Sequence, residues 1–351
     1  MNMANGTAIK VKLLYKLPTA HLRKQLPRAE AFWGKCQFLF DPDEREYDWL
    51  VVYDDLPANS TERRTLREEV LACPAQHTML ITTEPSSIKA YGQAYVSQFG
   101  CVLTSQEDWA LSHPDRIYSQ AANHWIYGAG NSQVIDLDRL RETPPPEKTG
   151  LISMVWSNKS QRHTIHWKRN AFMKKIRDAM PELQVFGRGI RTMDDKAESI
   201  DPFKYHIAIE NYVGLHHWTE KLSDPFLGYS LPFYYGCSNI TDYFPAQSLI
   251  IVDIEQFDQS LEIIRNAIRN NEYEKRLPYI IEARKLVIEK YNIFAVVSRE
   301  IEKRHRPDRP ETKNQVLKSR HALRKDNPLL ILWQGYEKAR NTLIHTVKSH
   351  R

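Results

Sequence analysis

Four residues in the second half of the chain have types and an order suited to handling a diphosphate. Glu210-Asn211 close the apolar run Tyr205–Ile209, and Glu220-Lys221 follow ten residues after Glu210 at an expected helix start. Such a start offers free backbone N–H groups and a partial positive charge, which favour anions. Lys221 adds a full charge, and Glu220 can accept hydrogen bonds from ribose or sugar hydroxyls. A glutamate at that place also simply favours the helix start.

Other chemistries find less support. Asp41-Pro42-Asp43 and Asp136-Leu137-Asp138 are the kind of triplet that holds a metal-bound diphosphate, but both lie far from residues 210–221. His163 with His166, and His216 with His217, lack the Cys or third His that a zinc site needs. The four cysteines (Cys36, Cys73, Cys101, Cys237) stand far apart with no CxxC pair, which excludes zinc-finger spacings and a dense disulfide framework. No metal and no cofactor are expected, and a reducing, cytoplasmic setting fits the thiols.

The elements that must position these residues follow a strand–helix rhythm. Ile9–Tyr15, Trp49–Tyr53, Thr78–Thr83 and Cys101–Thr104 read as strands, with Ser60–Ala72 as a helix between them. Pro144-Pro145-Pro146 can continue neither a helix nor a central strand, so 144–150 reads as a linker. Beyond it, Leu151–Trp156, Leu183–Gly187, Tyr205–Glu210, Leu231–Gly236 and Ser248–Ile254 read as strands. Lys168–Met180 and Leu277–Lys303 read as helical. The pattern predicts an α/β protein with two Rossmann-like domains, 1–143 and 151–300, and a basic helical tail over 301–351. In such sheets ligands bind beyond the carboxyl ends of the strands.

Charge is unevenly placed. Of 351 residues, 49 are Lys or Arg and 43 Asp or Glu, a net of +6. Residues 301–351 hold 13 Lys+Arg against 5 Asp+Glu, a net of +8, which leaves −2 for the first 300. The dense stretch Arg304, Arg306, Arg309, Lys313, Lys318, Arg320, Arg324 and Lys325 raises a nucleic-acid binder as an alternative, but no recognised nucleic-acid module accompanies it. The same basic residues beside Leu329–Trp333 and Tyr336 could instead lay a helix on an anionic membrane surface, or the helix could pack back on the body. The N-terminal residues hold no apolar run of signal-peptide length, and no run approaches the ~20 residues of a membrane span.

The ordered block 203–245 carries a resemblance. Phe203-Lys204-Tyr205-His206-Ile207-Ala208-Ile209-Glu210-Asn211, Thr219-Glu220-Lys221-Leu222, Leu231-Pro232-Phe233-Tyr234-Tyr235-Gly236 and Asp242-Tyr243-Phe244-Pro245 resemble the donor-site block of the α-1,3/4-fucosyltransferases, glycosyltransferase family 10. Upstream, Val155-Trp156-Ser157-Asn158 looks like the family's strand ending in Ser-Asn, and Val185-Phe186-Gly187-Arg188 fits its "VFG" strand end. Arg169 matches a basic residue that contacts the nucleotide diphosphate, and Thr83-Glu84-Pro85 resembles the segment that supplies the catalytic base.

The resemblance implies the GT-B fold, two Rossmann-like domains facing a cleft. It also implies metal-independent, inverting transfer of fucose from GDP-fucose to a glycan hydroxyl. Glu84 is then the general base. Ser157, Asn158, Arg169, Gly187, Arg188, Glu210, Asn211, Tyr212, Thr219, Glu220 and Lys221 form the donor site. Arg169 and Lys221 would meet the charge developing on the β-phosphate, and Glu210 or Glu220 the oxocarbenium character of the sugar. The expected partners are the nucleotide sugar and a glycan acceptor such as a surface polysaccharide or lipopolysaccharide, with peripheral inner-membrane contact through the tail and no nucleic acid. Retention would commonly show two glutamates eight apart, but Trp218 and Gly228 stand eight after Glu210 and Glu220. The chain departs from the family at Tyr212, where many members have Ser, and at His216-His217-Trp218. Another nucleotide sugar on the same fold, and a non-catalytic binding protein, are the alternatives.

Overall fold

The computed structural model describes residues 8–16, 19–58, 65–156, 165–308 and 315–349. Ser157, Asn158, His163, Arg309, Lys313 and the first part of the expected 60–72 helix lie outside the described residues. The chain forms two compact α/β units, Met1–Ala122 with Ile293–Arg351, and Asn123–Asn292.

In chain order the strands are β1 (Ile9–Leu14), β2 (Phe32–Trp33), β3 (Cys36–Leu39), β4 (Trp49–Tyr53), β5 (Glu68–Val70), β6 (Thr78–Ile81), β7 (Cys101–Thr104), β8 (Arg116–Tyr118), β9 (Gly150–Val155), β10 (Gln184–Phe186), β11 (Phe203–Gly214), β12 (Leu231–Cys237), β13 (Ile250–Ile251) and β14 (Val316–Lys318). The helices are α1 (Ala20–Arg23), α2 (Gln93–Val96), α3 (Leu137–Glu142), α4 (His166–Ala179), α5 (Glu220–Leu227), α6 (Phe257–Arg269), α7 (Glu272–Glu289), α8 (Ile293–Arg304), α9 (Arg320–Asp326) and α10 (Leu329–Ser349).

The first unit is built on a seven-stranded sheet of order β2-β3-β1-β4-β6-β7-β8, parallel except for the β2–β3 pair. Trp49–Val52, Met79–Ile81 and Cys101–Leu103 are buried on both faces, as continuous apolar runs in a parallel sheet must be. The second unit holds a five-stranded all-parallel sheet of order β10-β9-β11-β12-β13. The expected α/β class and pair of parallel-sheet units are both present.

Both sheets have a point where the strand order reverses. In the first the chain leaves β1 toward β3 and then crosses to β4. In the second it leaves β9 toward β10 and then crosses to β11. Ligand crevices in open α/β sheets form at these switch points, beyond the carboxyl ends of the strands.

The units are cut differently from the expected domains. Residues 123–143 join the second unit, where Leu137 and Leu140 are buried. The Tyr229 hydroxyl donates to the Thr143 carbonyl (2.7 Å), and Arg284 bonds the Leu140 and Leu227 carbonyls. The expected 277–303 helix is two helices, α7 and α8, interrupted at Lys290–Asn292. The apolar face of α8 (Ile293, Phe294, Val297, Ile301) packs in the core of the first unit, with the Phe294 ring 4.7 Å from Phe38. That face has to cover one side of the first sheet, so the chain returns to the first unit at Ile293.

The 60–72 helix is also corrected: Glu68–Val70 is a strand, paired antiparallel with β14 from the tail. Its Glu69 carboxylate supplies the counter-charge for Lys12 (2.6 Å), both fully buried. Leu317 of β14 lies in the core and Ser319 caps α9. The tail is therefore woven into the first unit. Part of its positive charge is matched there, Arg304 by Asp115 (2.9 Å) and Glu300 (2.7 Å), and Lys318 by Glu68 (3.1 Å) and Asp326.

Candidate active site

At the second switch point, β11 runs Tyr205 to Ile209 in parallel register with Leu231 to Tyr235 of β12, then bulges. Five steps from Ile209 to Gly214 oppose two steps from Tyr235 to Cys237. The bulge re-aims the strand end, as bulges beside functional sites do. Glu210 sits at its base, fully buried.

Space for Glu210 comes from Gly236, where a Cβ would stand 2.4 Å from Glu210 Cγ. The Glu210 carboxylate accepts from the Thr219 N–H (2.8 Å) and from the Thr219 hydroxyl (2.9 Å). Thr219 in turn caps α5, accepting from the Lys221 N–H (3.3 Å). Strand end and helix start are thus one hydrogen-bonded unit.

Lys221 Nζ lies 3.0 Å from Glu220 Oε1, 3.7 Å from Glu210 Oε2 and 3.2 Å from Thr219 Oγ1. Lys221 and Glu220 are each about a quarter exposed, whereas Glu210 is sealed. Burial pushes Glu210 up from the usual carboxylate range, with Lys221 opposing. Burial also acts to raise Glu220, but Lys221 and Lys196 outweigh it and hold the carboxyl down at about 2. Lys221 is raised, because its two carboxylates outweigh burial.

These states divide the roles. Glu210 holds Thr219 and Lys221 in place, and Glu220 is the carboxylate that a ligand can reach. Lys196, which the sequence reading missed, bonds the Glu220 carbonyl (3.0 Å) and pairs with Asp224 (2.9 Å), steadying the first turn of α5. No local pattern in residues 190–198 signals this role.

Arg169 projects from the first turn of α4 and is buried. Its Nε–H has no hydrogen-bond partner among the described residues. Burial pushes the guanidinium down, with Glu210 and Glu220 opposing. A buried guanidinium with a donor to spare, beside a helix start and Lys221, is suited to an anion.

Gly187 follows β10 at φ 141°, and a Cβ there would stand 2.0 Å from the Trp156 carbonyl oxygen, so only glycine lets β10 close on the end of β9. Arg188 is exposed beside it. Asn211 is half-buried, its Oδ1 3.4 Å from His217 Nε2, and Tyr212 is buried edge-on to the His217 ring.

The His216-His217-Trp218 segment is anchored by packing. Trp218 is fully buried among Tyr243, Phe244 and Tyr291, and the Tyr243 hydroxyl lies 2.6 Å from His216 Nδ1. His217 is buried and pushed down to about 3, by burial first and then by Lys221, so it is neutral beside the site.

Glu84 belongs to the first unit, three residues after β6, and is half-buried. Among the described residues no group of three or more His, Cys, Asp or Glu is placed to hold a metal ion.

Residues 145–275 match the family described as glycosyltransferase family 10 (fucosyltransferase), C-terminal. A curated relative, the alpha-(1,3)-fucosyltransferase FucT of Helicobacter pylori, is 28% identical over 133 residues. That match spans 36% of this chain and about a quarter (26%) of the relative's length. Among solved structures, an alpha1,3-fucosyltransferase with GDP-fucose aligns over 83% of this chain and 95% of its own, at TM-score 0.47 and 15% identity. TarM of S. aureus aligns over 66% and 56% at TM-score 0.42 and 8% identity.

Proposed function

We propose, on the match of residues 145–275 to glycosyltransferase family 10, that the chain transfers fucose from GDP-fucose to a hydroxyl of a glycan, with inversion and without a metal. The observation that carries this reading is the joined strand end and helix start, Glu210–Thr219–Lys221, with the buried, under-bonded Arg169 beside it. A nucleoside diphosphate is the leaving group that such an arrangement stabilises.

In the proposed step Glu84 takes the proton of the acceptor hydroxyl as its oxygen bonds to the anomeric carbon. The bond from that carbon to the β-phosphate oxygen breaks, and GDP leaves with the electron pair. Lys221 and Arg169 meet the charge that develops on the phosphate. Glu220, ionised and reachable, balances the positive character of the sugar. The acceptor is a cell-surface polysaccharide or lipopolysaccharide. Thermal-shift titration of GDP against UDP, followed by assay of GDP release from GDP-fucose, tests the reading. Stabilisation by UDP alone, or no release from GDP-fucose, contradicts it.

One observation supports peripheral membrane contact as a second element of this function. Leu329, Leu332, Trp333, Tyr336, Leu343 and Val347 line one side of α10 and are at least half exposed, while Gln334 and Arg340 bond the body of the first unit. No helix among the described residues is long and apolar enough to cross a membrane. Removing residues 311–351 would also remove β14 and expose core. The clean test is co-sedimentation of Leu332→Ser/Trp333→Ser with anionic liposomes, where binding equal to the parent chain removes the membrane role.

A further inference from the structure

The first switch point holds a charged network that donor binding does not use. Asp54, the residue after β4, has φ 76°, a left-handed conformation uncommon for a residue with a Cβ. Its own N–H bonds the Ile81 carbonyl at the end of β6 (2.9 Å), which turns its carboxylate over the sheet end. There Asp54 Oδ1 accepts from the Tyr91 hydroxyl (2.7 Å) and the Thr83 hydroxyl (3.1 Å) and pairs with Lys89, while Lys16 stands 3.4 Å from Oδ2. Burial acts to raise Asp54, but Lys89 and these hydrogen bonds outweigh it and keep the carboxyl ionised.

With its own hydrogen bond donated to Asp54, the Tyr91 hydroxyl accepts from the Thr83 N–H (2.9 Å). Thr83 is therefore held at both its main chain and its side chain, and the next residue is Glu84. From the other side the buried Gln106 amide donates to the Glu84 carbonyl (2.8 Å) and the Lys89 carbonyl (2.9 Å), closing the turn at both ends. The bonds from Asp54, Tyr91 and Gln106 thus converge on Thr83 and Glu84.

We propose that Asp54 is a positioning residue for Glu84: through Thr83 and Tyr91 it fixes the backbone from which the carboxylate reaches the acceptor hydroxyl. The inference rests on Glu84 being the base. A base displaced by even about 1 Å loses on the order of 100-fold in rate, so the effect falls on kcat and not on donor affinity.

The test measures GDP release from GDP-fucose, with water as acceptor, for the full chain carrying Tyr91→Phe, Thr83→Val, Thr83→Ser, Asp54→Asn or Glu84→Gln. Tyr91→Phe and Thr83→Val each delete one hydroxyl at nearly constant shape, so they remain informative should Asp54→Asn fail to fold. The expected result is a kcat lowered by roughly 10- to 100-fold in both, an unchanged KM for GDP-fucose, and recovery of most of the loss in Thr83→Ser. Wild-type kcat in Tyr91→Phe and Thr83→Val, with Glu84→Gln inactive, overturns the positioning role alone. No release by the parent chain overturns the proposed transfer on which the inference rests, and full release by Glu84→Gln overturns the reading of Glu84 itself.

Discussion

The two switch points of this chain share a topology and differ in chemistry. In the second unit the strand end leads into α5, and Lys221 and Arg169 beside it are the cations proposed to meet a diphosphate. In the first unit the strand ends lead into turns, and the charges there (Lys16 and Lys89, Asp54 and Asp55) are paired with one another. One arrangement keeps a buried guanidinium donor free of any partner among the described residues; the other neutralises itself and holds a backbone segment still. Parallel sheets dictate where a ligand sits, while the loop after each strand dictates which ligand that is.

The sharpest way to separate the two regions is Glu84→Gln. Turnover should fall by about 10²- to 10⁴-fold, the usual contribution of a general base, with GDP affinity untouched. Retained turnover in a steady-state assay would move the base elsewhere. Lys221→Ala should do the converse, weakening GDP by roughly 10- to 100-fold, as loss of a charge-assisted contact does, and isothermal calorimetry reads this directly.

Gly236→Ala probes the scaffold beneath the anion site. Its Cβ would meet Glu210 Cγ, so overpacking should cost about 1–3 kcal/mol in urea denaturation and loosen GDP binding with it. A neutral outcome would mean that Glu210 can move without consequence.

A further effect concerns pH. His206, bonded to Ser153 (2.9 Å), and His217 are both buried and both pushed down to about 3. Each binds a proton in the unfolded chain below its ordinary value of about 6.5 but not in the folded one until about 3. Stability of the second unit is therefore full above pH ~6.5 and falls as pH drops, by at most about 1.4 kcal/mol per pH unit for each histidine. Denaturation at pH 7 and pH 5 should show this slope, and His206→Gln should reduce it. An unchanged slope in that variant would assign the loss to other groups.

The sequence made the second site legible because its signals are local. A strand apolar on both faces, a Thr cap followed by Glu-Lys, and a glycine ending the next strand lie within residues 203–236. Arg169 and Glu84 were reached only through family resemblance. What stayed hidden depends on distant partners. Glu68–Val70 becomes a strand because Glu69 neutralises Lys12, 57 residues away, and because the tail supplies β14. Asp54 gathers Thr83 and Tyr91 across 29 and 37 residues, a convergence that no spacing rule encodes. The return of α8 to the first unit is likewise a matter of which sheet face is left uncovered.

Arg169 offers the most direct test of the central claim, that a nucleoside diphosphate is gripped by the second unit alone while the first supplies the base. GDP titrated calorimetrically into the parent chain, Arg169→Ala and Glu84→Gln should bind the parent and Glu84→Gln alike. Arg169→Ala should bind at least about 10-fold more weakly. Equal GDP affinity in Arg169→Ala and the parent, or a loss in Glu84→Gln, would contradict the account.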